Sequence, residues 1–267
     1  MVKLRLIGTL CVAILVTAQC ATMAQTSNPI KYIQHPKMDV GFDFSSEQKT
    51  MFVMADDWLC PDGLPVTDIH WWGSYWLALV QGGPYTIYSD MLPNAPNGGI
   101  TGFTISILSD VPANDPNNAL GFSHPGALLA TYQFSGDANE QFYGKVVKQA
   151  SPEIFENVYE YSVDLTNTQP GPFVQEKGKI YWLMVVATMD DRAKQWGWHE
   201  AIEHRNDYAV QGVWSSQGEN WSWYIPCGGR DMSFALTVIP EPASLFALGA
   251  GLTCLAGFVI RRRRRSP

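Results

Sequence analysis

Charge is scarce in this 267-residue chain: Asp, Glu, Lys and Arg make up 16% of it, against 46% apolar residues. That balance excludes intrinsic disorder, which needs low hydrophobicity and high charge. Basic residues are scarcest where a partner would meet them. Between residues 25 and 240 there are 11 Lys and Arg against 24 Asp and Glu, so nucleic acid, whose binders need a basic patch, is excluded as a partner. Cysteine is nearly missing from the same stretch, because Cys11, Cys20 and Cys254 lie towards the ends and leave only Cys60 and Cys227. The sequence also lacks sustained helical periodicity, a nucleophile elbow, a phosphate loop and a dinucleotide fingerprint. Aromatic residues and turn formers are plentiful, with ten Trp, 23 Gly and 17 Pro, a content suited to many strands and turns.

Both ends read as targeting segments. Lys3 and Arg5 precede an apolar stretch over residues 6–16, and Thr22-Met23-Ala24 closes it with small residues. This is the three-part layout of a secretory signal peptide over residues 1–24, handled by the general secretory translocon. A buried N-terminal helix would leave the basic start unexplained. At the other end residues 243–260 are apolar and uncharged, and Arg261, Arg262, Arg263, Arg264 and Arg265 follow. As a transmembrane helix this run would span ~27 Å, close to the ~30 Å hydrocarbon core, with the arginines held on the cytoplasmic side. The expected domain layout is a signal peptide (1–24), an ectodomain (25–239) and a membrane-spanning tail (240–265).

Pro240, Glu241 and Pro242 stand directly before the apolar run. Tripeptide, helix and arginine cluster together resemble the PEP-CTERM sorting signal of Gram-negative bacteria. The resemblance implies exosortase as processing partner, cleavage near the tripeptide, and residence at the cell surface or in an extracellular polysaccharide matrix such as a biofilm. A permanent single-pass anchor shares every feature but the tripeptide. Four further stretches, ADDWLC (55–60), TDIHWWGS (67–74), SDVP (109–112) and SHPG (123–126), resemble a domain of unknown function that recurs in exported PEP-CTERM proteins. That resemblance implies domain boundaries and no activity.

The ectodomain is expected to be all-β, a single jelly-roll-like β-sandwich. Phe103, Ile105 and Ile107 alternate with Thr104 and Ser106, and Tyr159, Tyr161, Val163 and Leu165 alternate with Glu160, Ser162 and Asp164, the period of half-buried strands. Residues 179–188 are apolar on both faces, as a central strand between layers would be. Further strands are expected at 51–58, 66–76, 127–135, 142–148, 208–215, 221–225 and 232–238, ten in all, whereas 195–206 is ambiguous and could hold a short helix. An oxidising compartment and two remaining cysteines predict a Cys60–Cys227 disulfide, contributing ~5 kcal/mol in the chain-entropy model.

Four constellations bear on chemistry. His199-Glu200-Ala201-Ile202-Glu203-His204 comes nearest to a zinc-protease motif but spaces its histidines five apart rather than four. Glu156, Glu160 and Asp164 share one strand face, with neighbours ~13 Å apart, beyond the reach of a glycosidase pair. Asp110 and Asp115, within DVPANDPNN, are candidate ligands for structural calcium, although Asp, Asn and Pro are also ordinary turn residues; no other metal or cofactor is expected. Finally, alternation along 66–76 puts Asp68, His70, Trp72 and Trp76 on one face and Ile69, Trp71 and Tyr75 on the other. If the second set is core, the first is a candidate sugar-stacking face, with Trp196, Trp198, Trp221 and Trp223 as extensions. The alternative is that most of these indoles fill the core. The expected function is that of an exported, non-catalytic surface or matrix protein with extracellular polysaccharide as candidate partner. The alternative is a secreted polysaccharide-active glycosidase, which requires two carboxylates converging beneath a groove.

Overall fold

Alternation of apolar residues resolves into thirteen strands in the computed structural model, which describes residues 29–77, 99–150, 153–190, 194–215 and 220–238. The segment expected to be a signal peptide, the Pro-Glu-Pro tripeptide, the apolar run and the arginine cluster lie outside the described residues. Among those that are described, no helix is long and apolar enough to cross a membrane. From Ile30 onwards the chain forms one compact unit, Ile30–Ile239. The strands are β1 (Ile30–Gln34), β2 (Asp43–Ser45), β3 (Phe52–Leu59), β4 (Asp68–Leu77), β5 (Ile100–Val111), β6 (His124–Ser135), β7 (Gln141–Ala150), β8 (Glu153–Asp164), β9 (Ile180–Met189), β10 (Lys194–His199), β11 (Val210–Ser215), β12 (Asn220–Tyr224) and β13 (Phe234–Thr237).

They pair antiparallel in two sheets. The first is centred on β4, which has β8 along one edge and both β13 and β10 along the other. β13 pairs residues 68–71 and β10 pairs residues 73–77, so the two lie end to end. β7 extends the sheet beyond β8, β1 flanks β13 and β2 flanks β10. The second sheet runs β12-β11-β3-β9-β5-β6. Ten strands fall at the expected places. β1 and β2 were not expected, and the ambiguous 195–206 region supplies β10 rather than a helix.

Aromatic residues join the sheets. Trp71 of β4 stacks on Tyr161 of β8, its cross-strand partner, with centroids 5.6 Å apart. Phe103 of the second sheet meets Trp71 edge-on at 4.9 Å and Trp196 at 5.3 Å. Burying each such side chain contributes roughly 1.5–3 kcal/mol. Two of the polar tips are satisfied internally: the Trp196 indole N–H donates to the Tyr161 hydroxyl at 3.2 Å, and that hydroxyl donates to Glu140 at 2.8 Å. Trp196 and Trp198 are therefore core residues on a strand and extend no surface face.

Cys60 is buried, Cys227 is exposed and the two are free, which corrects the expected disulfide. The strand order gives the reason. β11 lies between β3 and β12, placing those two ~10 Å apart. Gln211 pairs with both Tyr224 and Met54, so β12 ends level with Met54 and well short of Cys60. A disulfide needs β-carbons within ~4.5 Å.

Candidate functional site

The outer face of the first sheet carries the residues singled out on β4. Ile69, Trp71 and Tyr75 fill the core, and Asp68, His70 and Trp72 project the other way, as alternation predicts. His70 lies between two carboxylates: its Nε2 is 2.7 Å from Asp68 Oδ2 and its Nδ1 is 2.9 Å from Glu160 Oε1. Hydrogen bonds to Asp68 and then Glu160 raise its pKa to about 9, against the opposing effect of burial. Asp68 also accepts the Thr237 hydroxyl at 3.0 Å. Trp72 does not form a platform. It is only 5% exposed, packed with Val146, Val158 and Ala235, with Ile33 and Met38 against the cluster. Tyr143 meets its ring edge-on at 5.7 Å. The segment before β2 and the edge strand β7 thus cover a face that alternation alone left open. The side chain of Trp76 lies outside the described residues.

Further along the same face three groups converge. Asp43, Glu156 and His199 each place one ligand-type atom within 4.8 Å of the other two. His199 Nδ1 is 2.8 Å from Asp43 Oδ1, and Nε2 is 3.0 Å from the Lys37 carbonyl. The Ser74 hydroxyl donates to Glu156. In the His199–His204 segment the two histidines part company. His199 closes β10, whereas His204 pairs with Asp231 at 3.0 Å, so the segment is no zinc-protease helix.

The other candidate carboxylates are occupied by hydrogen bonds. Asp110 accepts the Trp182 indole N–H at 2.8 Å, and Asp115 accepts the Asn117 amide at 2.8 Å within a turn. Asp164 caps the next turn through the Thr166 amide at 2.7 Å. Asp56 and Asp57 are both fully buried. Burial, then the neighbouring Asp231, pushes Asp56 well above the usual carboxylate range. Asp57 rises to about 8 through burial and then Asp207.

The second sheet carries an aromatic row on its outer face. Trp214 and Trp221 are cross-strand partners on the β11–β12 hairpin, and Gly212 pairs with Trp223. Gly212 is required there, since a β-carbon would fall 2.6 Å from the Trp223 ring. Trp223 therefore lies across β11 beside Val53, Trp221 tilts beside it at 5.9 Å, and Trp214 meets Trp221 at 5.0 Å. Trp214 and Trp221 are half-buried. Trp221 and Trp223 thus belong to the opposite sheet from β4 and cannot enlarge its face.

Residues 30–239 match a family described as a domain of unknown function (DUF7901). The chain belongs to that family. Residues 238–265 match the PEP-CTERM protein-sorting motif, so the DUF7901 domain is followed at once by a signal implying exosortase processing. Such signals mark proteins exported to the cell surface of Gram-negative bacteria. No curated protein and no solved structure matches the chain.

Proposed function

We propose that the DUF7901 domain is a non-catalytic module, exported through the secretory translocon and displayed in the extracellular polysaccharide matrix, where it contacts glycan. The observation that carries this reading is the cross-strand pair Trp214 and Trp221, half-open beside the buried Trp223. Adjacent indoles left half-open on a sheet face suit the apolar face of a sugar ring. The sorting motif directly behind β13 supports the location. The sandwich is read as jelly-roll-like because the chain passes repeatedly between the sheets, at β2–β3, β3–β4, β4–β5, β6–β7, β8–β9, β9–β10, β10–β11 and β12–β13.

A glycan array probed with the full-length chain tests the contact. Weak binding, micromolar to millimolar or roughly −8 to −4 kcal/mol, should fall in Trp221→Ala while the domain stays folded. Equal binding by both proteins, or none by either, removes the glycan reading. Intact mass of the surface-released protein tests the processing: residues 1–24 and the arginine tail should be missing.

A further inference from the structure

Three strands of the first sheet deliver metal-type ligands to one buried point. Asp43 opens β2 and is the cross-strand partner of His199 at the end of β10. Glu156 comes from β8, on the far side of β4. Ser74 of β4 lies between them, pairing with Val158 on one side and Gly197 on the other. One ligand atom from each of Asp43, Glu156 and His199 falls within 4.8 Å of the rest. His199 is 0% and Glu156 1% exposed, and the Asp43 side chain is 4% exposed.

The groups around the cluster orient it. The Lys37 carbonyl can only accept, so His199 Nε2 donates to it at 3.0 Å and Nδ1 turns towards the carboxylates. An imidazole tethered through one nitrogen to a backbone carbonyl, with the other aimed at acidic groups, is the usual setting of a metal-bound histidine. Gly41 makes the tether possible, because a β-carbon there would press into both the Lys37 carbonyl and the His199 ring. Glu156 is steered in the same way by the Ser74 hydroxyl.

We propose that Asp43, Glu156 and His199 bind one zinc ion, which clips β2, β10 and β8 together across the outer face of β4. The donor set favours zinc. One imidazole nitrogen with two carboxylate oxygens, the fourth position being taken by a water or a second carboxylate oxygen, fits a small four-coordinate ion. Calcium wants six to eight oxygens, and magnesium keeps much of its water.

The test uses the full-length chain, stripped with chelator and titrated with zinc chloride. Binding should saturate at one zinc per chain. Tm should rise roughly 5–10 °C when zinc stands at one hundred times Kd. Ser74→Ala, which removes only the group orienting Glu156, should weaken zinc about 10–100-fold. Asp43→Asn and Glu156→Gln preserve shape and should abolish stoichiometric uptake. If Glu156→Gln does not fold, Asp43→Asn and the wild-type titration still decide the matter. X-ray absorption at the zinc edge should show a single imidazole. No uptake by the wild type, uptake undiminished in Asp43→Asn, or calcium bound in preference to zinc would each overturn the assignment.

Discussion

The Asp56 carboxylate accepts the backbone N–H of Met232 at 2.6 Å, joining positions 176 residues apart in the chain. The same oxygen accepts from Gln34 Nε2 at 2.7 Å, and the other oxygen accepts the Asp57 amide at 2.8 Å. One buried side chain on β3 thus holds β1 and the segment leading into β13. The connection between early and late parts of the domain, expected of a disulfide, is made here by hydrogen bonds. Asp56→Ala takes the acceptor from the Met232 and Asp57 amides and one of the two acceptors of Gln34 Nε2, which keeps the Met232 carbonyl at 3.1 Å, and should cost about 3 kcal/mol. For a domain of this size that is a Tm drop of roughly 6–12 °C. Calorimetry checks it, and a loss under about 2 °C would contradict the linking role.

The cysteines offer an independent check on the strand order. Cys227 is exposed, whereas Cys60 is buried and its sulfur accepts the Gly63 amide at 3.3 Å. In native protein Cys227 should react rapidly with iodoacetamide, and Cys60 only after denaturant is added. Peptide mapping without reductant should find both as free thiols. A Cys60–Cys227 crosslinked peptide would mean that β3 and β12 are not separated by β11.

Trp72 should behave as a core residue. Trp72→Ala removes a ring enclosed by Met38, Val146 and Val158 and should cost about 3–5 kcal/mol. Trp72→Phe should cost much less, because the buried indole N–H of Trp72 has no hydrogen-bond partner and its removal relieves a desolvation penalty. Urea unfolding of the two variants separates the effects. Near-wild-type stability of Trp72→Ala would restore the open face.

The contrast between Trp71 and Trp72 shows how far the sequence could be read. Period-2 alternation assigns them to opposite faces, and the structure agrees. Alternation does not say what covers a face, and the cover of Trp72 comes from Met38 before β2 and from the edge strand β7. β2 itself has three residues, too few for a period to register. The same limit hid the Asp43–Glu156–His199 cluster. His199 drew notice through the wrong partner, His204, five residues away. Its actual neighbours come from β2 and β8, and only the pairing of both flanking strands around β4 brings them together. Trp214 forms a row with Trp221 only through the β11–β12 register, which the sequence does not carry.

Three buried or half-buried groups act on the pH response in one direction. Burial raises Glu47 from 4.5 to about 7. Asp57 rises from 3.8 to about 8, and His70 from 6.5 to about 9. In each case the folded protein holds its proton more tightly than the unfolded chain. The stability each provides is complete below its unfolded pKa and is lost as pH rises through the folded value. Through these groups stability should therefore decline from about pH 4 to pH 9. Thermal melts across that range check the trend. Glu47→Gln, which cannot ionise, should flatten the curve between pH 4.5 and 7 and leave the alkaline part intact. His70→Gln should do the reverse, removing the loss between pH 6.5 and 9 that the Asp68 and Glu160 carboxylates create by holding the imidazolium. A Tm that rises towards pH 9 would mean that these groups are not held protonated in the folded protein.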